Sequence, residues 1–237
     1  MPDDVAPESI RLLVEGAARL GVPLEPEPAR AMLRLLDELE RWNAAYNLTA
    51  IRDRRQMLTH HLLDSLSVYR ALQGTRIADV GTGAGFPGLP LAIADPQRQF
   101  TLLDSNGKKI RFVTHAARVL GLKNVDAVHA RAERFTPAAP FDIVVARAFA
   151  ALETLAESVA PLCGPATRVL AMKGRRSEGE LAALPPGWAI ERIDTLEVPG
   201  LGEERHLVVL RPPAALAPQA GQAPQAGQAP PSGQSLG

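Results

Sequence analysis

The sequence predicts an α/β protein built on a mainly parallel sheet with one antiparallel edge strand, preceded by a cap of helices. Three observations carry that reading. From about residue 76 onward, short apolar or β-branched runs alternate with segments of helical periodicity, the pattern of βαβ units. The first run, Ile77 to Val80, passes directly into a loop with glycine at 81, 83, 85 and 88, and a helical pattern restarts at Leu89. Two late apolar stretches, Ala189 to Val198 and Arg205 to Arg211, read as a hairpin that reverses the chain at one side of the sheet.

Composition bounds what this fold can do. The chain has 237 residues, 46% of them hydrophobic, enough for one substantial core and a small helical addition. Lys and Arg number 26 against 26 Asp and Glu, so no global field draws the protein to nucleic acid. Any RNA contact must come from local basic clusters. Cys163 is the single cysteine, which excludes an internal disulfide and reads as a small buried side chain. The acidic start Met1-Pro2-Asp3-Asp4 and the lack of any apolar run of spanning length predict a cytoplasmic protein with no signal peptide and no membrane contact.

Residues 1–73 read as the helical cap. Ser9 to Leu20 and Pro28 to Ala45 carry apolar residues at helical spacing, separated by Gly21 and prolines 23, 26 and 28. A third helix is predicted from about Asp53 to Leu72. Trp42, Asn43, Tyr46 and Asn47 are of types that stack on or hydrogen-bond a base, although core packing and a helix stop are the commoner use. His60, His61 and Asp64 have loosely metal-like spacing. Only one histidine can share a helix face with Asp64, and no cysteine or glutamate completes a set, so no metal is expected.

Residues 74–211 read as the main domain. Gln99 to Leu103 forms a strand ending at Asp104, a helix runs from about Lys108 to Leu120, and Val125 to His129 forms the third strand. Phe141 to Ala146 is the fourth strand, followed by a helix from Leu152 to Leu162, a strand from Arg168 to Met172 and a helix around Glu178 to Leu184. Residues 212–237 read as a tail in which Ala217 to Gln222 repeats as Ala223 to Gln228 and, imperfectly, as Ala229 to Gln234, with no charge and almost no apolar bulk. That composition predicts a disordered tail.

The glycine loop points to a nucleotide cofactor. Glycines let the backbone turn sharply and approach a ligand, and the following helix start offers unpaired N–H groups. Gly83 to Gly88 is a literal G-x-G-x-x-G, the dinucleotide fingerprint, while Gly81, Gly83 and Gly85 make the G-x-G-x-G of S-adenosylmethionine enzymes. Asp79 favours the second. A carboxylate at the strand end is poorly placed beside a pyrophosphate and suits the ammonium group of a methionine moiety. Asp104, about twenty residues past the loop, is placed to take ribose hydroxyls of either cofactor. Arg131, Ala132 and Glu133 follow the third strand, where polar groups can read an adenine edge. Arg147 should emerge at the carboxyl edge of the sheet, where the transferred group belongs. A nicotinamide-dependent dehydrogenase and a non-catalytic RNA-binding factor are the alternatives, the first leaving Asp79 unexplained.

Seven ordered motifs resemble a known family. They are Trp42-Asn43 with Tyr46 to Thr49, His61 with Leu63-Asp64-Ser65, Asp79 to Gly88, Leu102 to Ser105, Arg147 to Ala150, Met172-Lys173-Gly174, and Glu204-Arg205-His206. Over roughly Leu33 to Arg211 the chain is similar to the bacterial 16S ribosomal RNA guanine-N7 methyltransferases, the glucose-inhibited division protein B family. The resemblance implies a Rossmann-like class I fold dependent on S-adenosyl-L-methionine, with a guanine in the decoding-region loop of 16S rRNA as substrate, within the small ribosomal subunit or a precursor particle. It places cofactor contacts on Gly81, Phe86, Ala132, Glu133 and Arg147, with Asp104 on the ribose.

The chemistry itself is simple. Guanine N7 is an unprotonated in-plane nucleophile, so its methylation needs orientation rather than a general base. Useful contacts go to guanine O6 and flanking phosphates. Arg147 and Lys173 are the expected catalytic cations, and Arg131, Lys173, Arg175 and Arg176 the expected RNA contacts. Lys108, Lys109 and Arg111 form a second basic set, and Arg52, Arg54 and Arg55 a third.

Overall fold

The computed structural model describes residues 7–148, 151–174, 179, 181 and 183–214. Residues 178, 180 and 182 of the predicted helix around Glu178 to Leu184, and most of the predicted tail, lie outside the described residues.

The helices come first. α1 (Pro7–Arg19) and α2 (Pro26–Tyr46) pack against each other, α2 opening on proline with Glu27 in its first turn and closing on Asn47 in the left-handed region. The single third helix expected from the sequence is divided. α3 (Arg54–Met57), capped by the Asp53 carboxylate on the Gln56 N–H, runs through a π-helical stretch at Leu58–Leu63 into α4 (Asp64–Leu66), and a short 3₁₀ turn follows at Tyr69–Ala71. The wider π turn changes the angular spacing of side chains, bringing His61 and Asp64 to bear on the glycine loop and on Arg147.

Seven strands form one sheet: β1 (Arg76–Val80), β2 (Gln99–Asp104), β3 (Val125–His129), β4 (Ile143–Arg147), β5 (Arg168–Lys173), β6 (Ala189–Thr195) and β7 (His206–Arg211). Their order is β3-β2-β1-β4-β5-β7-β6. β3 through β5 are parallel, and β7 pairs antiparallel with both β5 and β6. The mostly parallel sheet with reversal at one side therefore stands. β7 lies one place in from the edge because β6 covers it. α5 (Gly88–Ala94), α6 (Gly107–Val119) and α7 (Leu152–Val159) are the crossovers.

The sheet's pleat sorts its residues into two cores. Ile143 and Val145 face the layer of α2, α4, α5 and α6, packing with Leu36, Leu62, Leu66, Leu91 and Phe112. Val144 and Ala146 face α7, packing with Leu155 and Val159. Cys163 is buried in this second core, which pushes its thiol up to about 12. The same alternation puts Arg147 on the side of the N-terminal helices, and that direction decides the site.

Candidate active site

The loop after β1 is drawn tight by its own backbone. Gly81 and Thr82 N–H both donate to the Leu103 carbonyl, and Gly85 and Phe86 N–H both donate to the Thr82 carbonyl. Gly81, Gly83 and Gly85 all have positive φ, at 68°, 63° and 87°, which only glycine adopts without strain. Gly83 is the revealing one. A Cβ built there would meet no heavy atom closer than 3.9 Å, so the loop presents bare backbone to open space.

Asp104, at the end of β2, stabilises the opposite wall. Its Oδ2 accepts from the Gly83 N–H at 2.9 Å and its Oδ1 from the Asn106 N–H at 2.7 Å, while Lys109 Nζ lies 3.9 Å away. A cavity of about 490 Å³ lies between these parts, lined by Gly81, Asp104, Arg131, Glu133, Arg147 and Ala148, with Thr154 and Ser158 of α7 closing it. Glu133 and Arg131 project from a 3₁₀ turn at Ala132–Arg134, with Arg131 Nη1 3.9 Å from the Glu133 carboxylate.

Asp79 is placed differently from a ligand-facing group. It is fully buried, its Oδ2 accepting from the Thr82 hydroxyl at 2.6 Å and the Gly88 N–H at 2.8 Å, so it braces the loop against the start of α5. Burial pushes its carboxyl up to about 6, against the hydrogen bonds from Thr82 and Gly88. Oδ1 is buried with no partner among the described residues. As folded, Asp79, Gly83, Gly85, Phe86 and Ala132 line neither this cavity nor the next; Asp79, Gly85, Phe86 and Ala132 are buried behind the wall, while Gly83 is half-buried in the loop.

The second cavity, about 480 Å³, is lined by Ile51, His60, His61, Asp64, Arg147, Ala148, Met172, Lys173, Gly174 and Arg205. It shares Arg147 and Ala148 with the first. Ala148 has φ of 57°, a strained left-handed conformation for a residue with a Cβ, at the point where β4 ends between the two cavities.

Arg147 is held from three sides. Its Nη1 donates to the His60 carbonyl at 2.8 Å and to Asp64 Oδ2 at 3.0 Å, and its guanidinium lies 5.6 Å over the Phe86 ring. Phe86 in turn stacks on His61, whose Nε2 is 3.0 Å from the Thr49 hydroxyl. Burial, the Arg147 charge and the neighbouring His60 push His61 down to about 4, so the imidazole is neutral. Asp64 is 2% exposed and binds a second cation through Oδ1, Arg205 Nε at 3.1 Å.

Asp64 and Arg205 stand inside motifs of the sequence that carry no expected site role for them. The available signal was a charged residue inside the apolar run Leu62 to Leu66. Asp64's carboxylate is committed to two arginines, and Asn43 is a structural clamp, its amide exchanging two 3.0 Å bonds with the Thr49 backbone. Trp42 packs on Phe112 and His115. Arg54 is engaged with Asp37 and the Leu33 carbonyl. Arg175 and Arg176, expected RNA contacts, lie outside the described residues.

Solved structures show the fold. A SAM-dependent methyltransferase from Aquifex aeolicus superposes with TM-score 0.52 at 14% identity, covering 70% of this chain and 97% of its own. A magnesium protoporphyrin IX methyltransferase from Synechocystis, with bound SAM, gives TM-score 0.52 at 17% identity over 74% of this chain and 90% of its own. The fold is the Rossmann-like one of S-adenosylmethionine-dependent methyltransferases.

Sequence relatives narrow the class. Proteins named ribosomal RNA small subunit methyltransferase G from Pseudomonas paraeruginosa and Nitrosococcus oceani are 50% and 47% identical, over 84% and 85% of this chain and 94% of each relative. The family model described as rRNA small subunit methyltransferase G matches residues 29–208. The chain belongs to that family, GidB. No helix among the described residues is long and apolar enough to cross a membrane.

Proposed function

We propose that the protein methylates N7 of a guanine in the decoding-region loop of 16S rRNA, using S-adenosylmethionine, on the small ribosomal subunit or a precursor particle. The observation that carries this reading is a pair of cavities meeting at Arg147 and Ala148, one floored by the glycine loop and Asp104, the other walled by cations. The first fits the cofactor: bare glycine backbone, a fixed carboxylate for ribose hydroxyls and a polar turn at residues 131–133. When bound there, S-adenosylmethionine supplies an electrophilic methyl group.

The chain's own task is to bind and orient. N7 carries no proton, so no residue need remove one, and the neutral, stacked His61 is not asked to. Orientation of the reactants supplies several kcal/mol or more of the barrier reduction, on the order of 7 to 11 in well-aligned systems. Arg147, fixed by Asp64, His60 and Phe86, borders both partners. Lys173, at the end of β5 in the second cavity, is assigned to the RNA backbone, with Arg131 at the rim of the first. In this reading residues 1–73 form a cap that supplies one wall of the base cavity through Ile51, His60, His61 and Asp64, and residues 74–211 form the methyltransferase domain.

The test is transfer of labelled methyl from S-adenosylmethionine to small ribosomal subunits lacking the modification, followed by mapping of the modified base. Label at guanine N7 in the decoding region is expected. Label at another atom or another RNA would refute the assignment.

A further inference from the structure

The geometry points to Arg205, held by Asp64, as the residue that reads O6 of the target guanine. This rests on the methylation reading above and assigns its base selectivity to a particular contact.

On the edge that carries N7, guanine offers N7 and O6, both acceptors, whereas adenine replaces O6 with an amino donor. N7 must stay free to react. Discrimination on this edge is therefore made at position 6, and guanine requires a donor there. Among the charged side chains lining the second cavity, Arg147, Lys173 and Arg205 are donors and the carboxylate is already engaged. Asp64 is the sole carboxylate among its lining residues, and both oxygens are taken, Oδ2 by Arg147 at 3.0 Å and Oδ1 by Arg205 at 3.1 Å. An unpaired carboxylate there would welcome an adenine amino group. Paired, it becomes the anchor of two directed cations.

Of those two, Arg205 is placed for the base. Arg147 borders both cavities, while Arg205 borders only the second. Its Nε is fixed by Asp64, and its Nη1 by the Glu204 carbonyl and the Glu203 carboxylate, each at 3.0 Å. Nη2 makes no hydrogen bond among the described residues. A planar guanidinium pinned on two nitrogens presents the third in a set direction, which suits one carbonyl oxygen. Lys173 borders the same cavity, but an ammonium on a flexible stem suits phosphate charge better than a single base atom. Asp64 is accordingly a positioning residue, acting through Arg205.

Small subunits rebuilt with guanine, inosine or 2-aminopurine at the mapped nucleotide test this by single-turnover rates. Inosine keeps N7 and O6 but lacks the amino group. 2-Aminopurine keeps N7 and the amino group but lacks O6. The wild type is expected to methylate inosine within a few-fold of guanine, and 2-aminopurine at least about tenfold more slowly, the worth of one charge-assisted hydrogen bond. Arg205→Ala should slow guanine and inosine by about that factor and 2-aminopurine little, so the ratio of rates collapses. Asp64→Asn should lower the ratio in part, and Arg205→Lys should keep some of it.

A purely structural role would depress all three bases alike, so an unchanged ratio in Arg205→Ala overturns the inference. So does a wild type indifferent to O6, a result that needs no variant to fold. Collapse of the ratio in Lys173→Ala but not in Arg205→Ala would assign O6 to the lysine instead. If the wild type fails to methylate even guanine, the functional reading itself falls, an outcome distinct from these.

Discussion

His61 lies almost flat on Phe86, ring centroids 4.6 Å apart and planes 18° apart. One ring comes from the π-helical stretch and the other from the glycine loop, so this contact joins the N-terminal helices to that loop. Arg147 lies over the same phenyl ring and is fixed from the helical side by Asp64. Loop, helix and sheet end are thus held as one unit.

Phe86→Ala should test that unit. Phe86 is 3% exposed, and removing a buried phenyl group costs about 3 kcal/mol or more of unfolding free energy. Because Arg147 loses the ring beneath it, affinity for S-adenosylmethionine should fall as well. Phe86→Leu keeps most of the volume without the aromatic face, and should recover much of the stability but less of the affinity. Urea unfolding and titration calorimetry on both variants read the two effects separately.

The pH dependence of stability should hide two opposed contributions. His61 is lowered from 6.5 to about 4, so the unfolded chain binds the extra proton between those values and stability is lost as pH falls through that window. Asp79 is raised from 3.8 to about 6, so the folded chain holds the extra proton and stability is lost as pH rises from about 4 to 6. Each shift amounts to about 3 kcal/mol at 1.36 kcal/mol per unit, and the two nearly cancel. Relative to wild type, His61→Gln should therefore lose stability as pH rises from 4 to 6, and Asp79→Asn should gain it. Denaturant titrations at a series of pH values decide this. Parallel curves for all three proteins would mean that neither group is shifted.

Gly83→Val should reduce S-adenosylmethionine affinity more than tenfold. The side chain would enter the space before the loop, and φ of 63° strains any β-branched residue. Asp104→Ala should weaken binding by about 1 to 3 kcal/mol, through lost ribose contacts and an unpaired Gly83 N–H. Calorimetry on variants with native circular dichroism is the check, and unchanged affinity in both would remove the cofactor from this cavity.

Methyl transfer should show no ascending limb from a catalytic base between pH 7 and 9, because N7 is already unprotonated. Arg147→Ala and Lys173→Ala should lower single-turnover rates by similar factors at every pH, with Lys173→Ala changing S-adenosylmethionine affinity less. A tenfold rise per pH unit that vanishes in one histidine or carboxylate variant would establish a general base and contradict the N7 assignment.

Much of the fold could be read in the chain because its cues are local. β3 falls on Val125–His129 as predicted, and the starts of β5, β6 and α7 fall on the predicted residues, since short β-branched runs and helix periodicity are properties of neighbours in sequence. The break in the third helix was not legible: a π turn conserves the apolar pattern while altering hydrogen-bond partners, and nothing in Leu58 to Leu63 announces it. That the glycine loop and Asp104 lie together was legible because strand, turn and carboxylate have a fixed spacing, and the Gly83 N–H donates to Asp104.

By itself, then, the sequence determined the sheet's parts, the glycine loop with its positive-φ positions, the acidic residue at the end of β2 and the family to which these belong. Tertiary structure alone decided which charges face one another. Asp64 and Arg205 are 141 positions apart, Asp64 and Arg147 83 apart, and no local pattern relates them. They meet because the pleat of β4 sends Arg147 toward the N-terminal helices while a π turn presents Asp64 from the other side. The same packing buried Asp79 beneath its own loop. A carboxylate's position along a strand can be read from sequence. Whether it faces a ligand or the protein's interior depends on what the rest of the chain stacks on top of it.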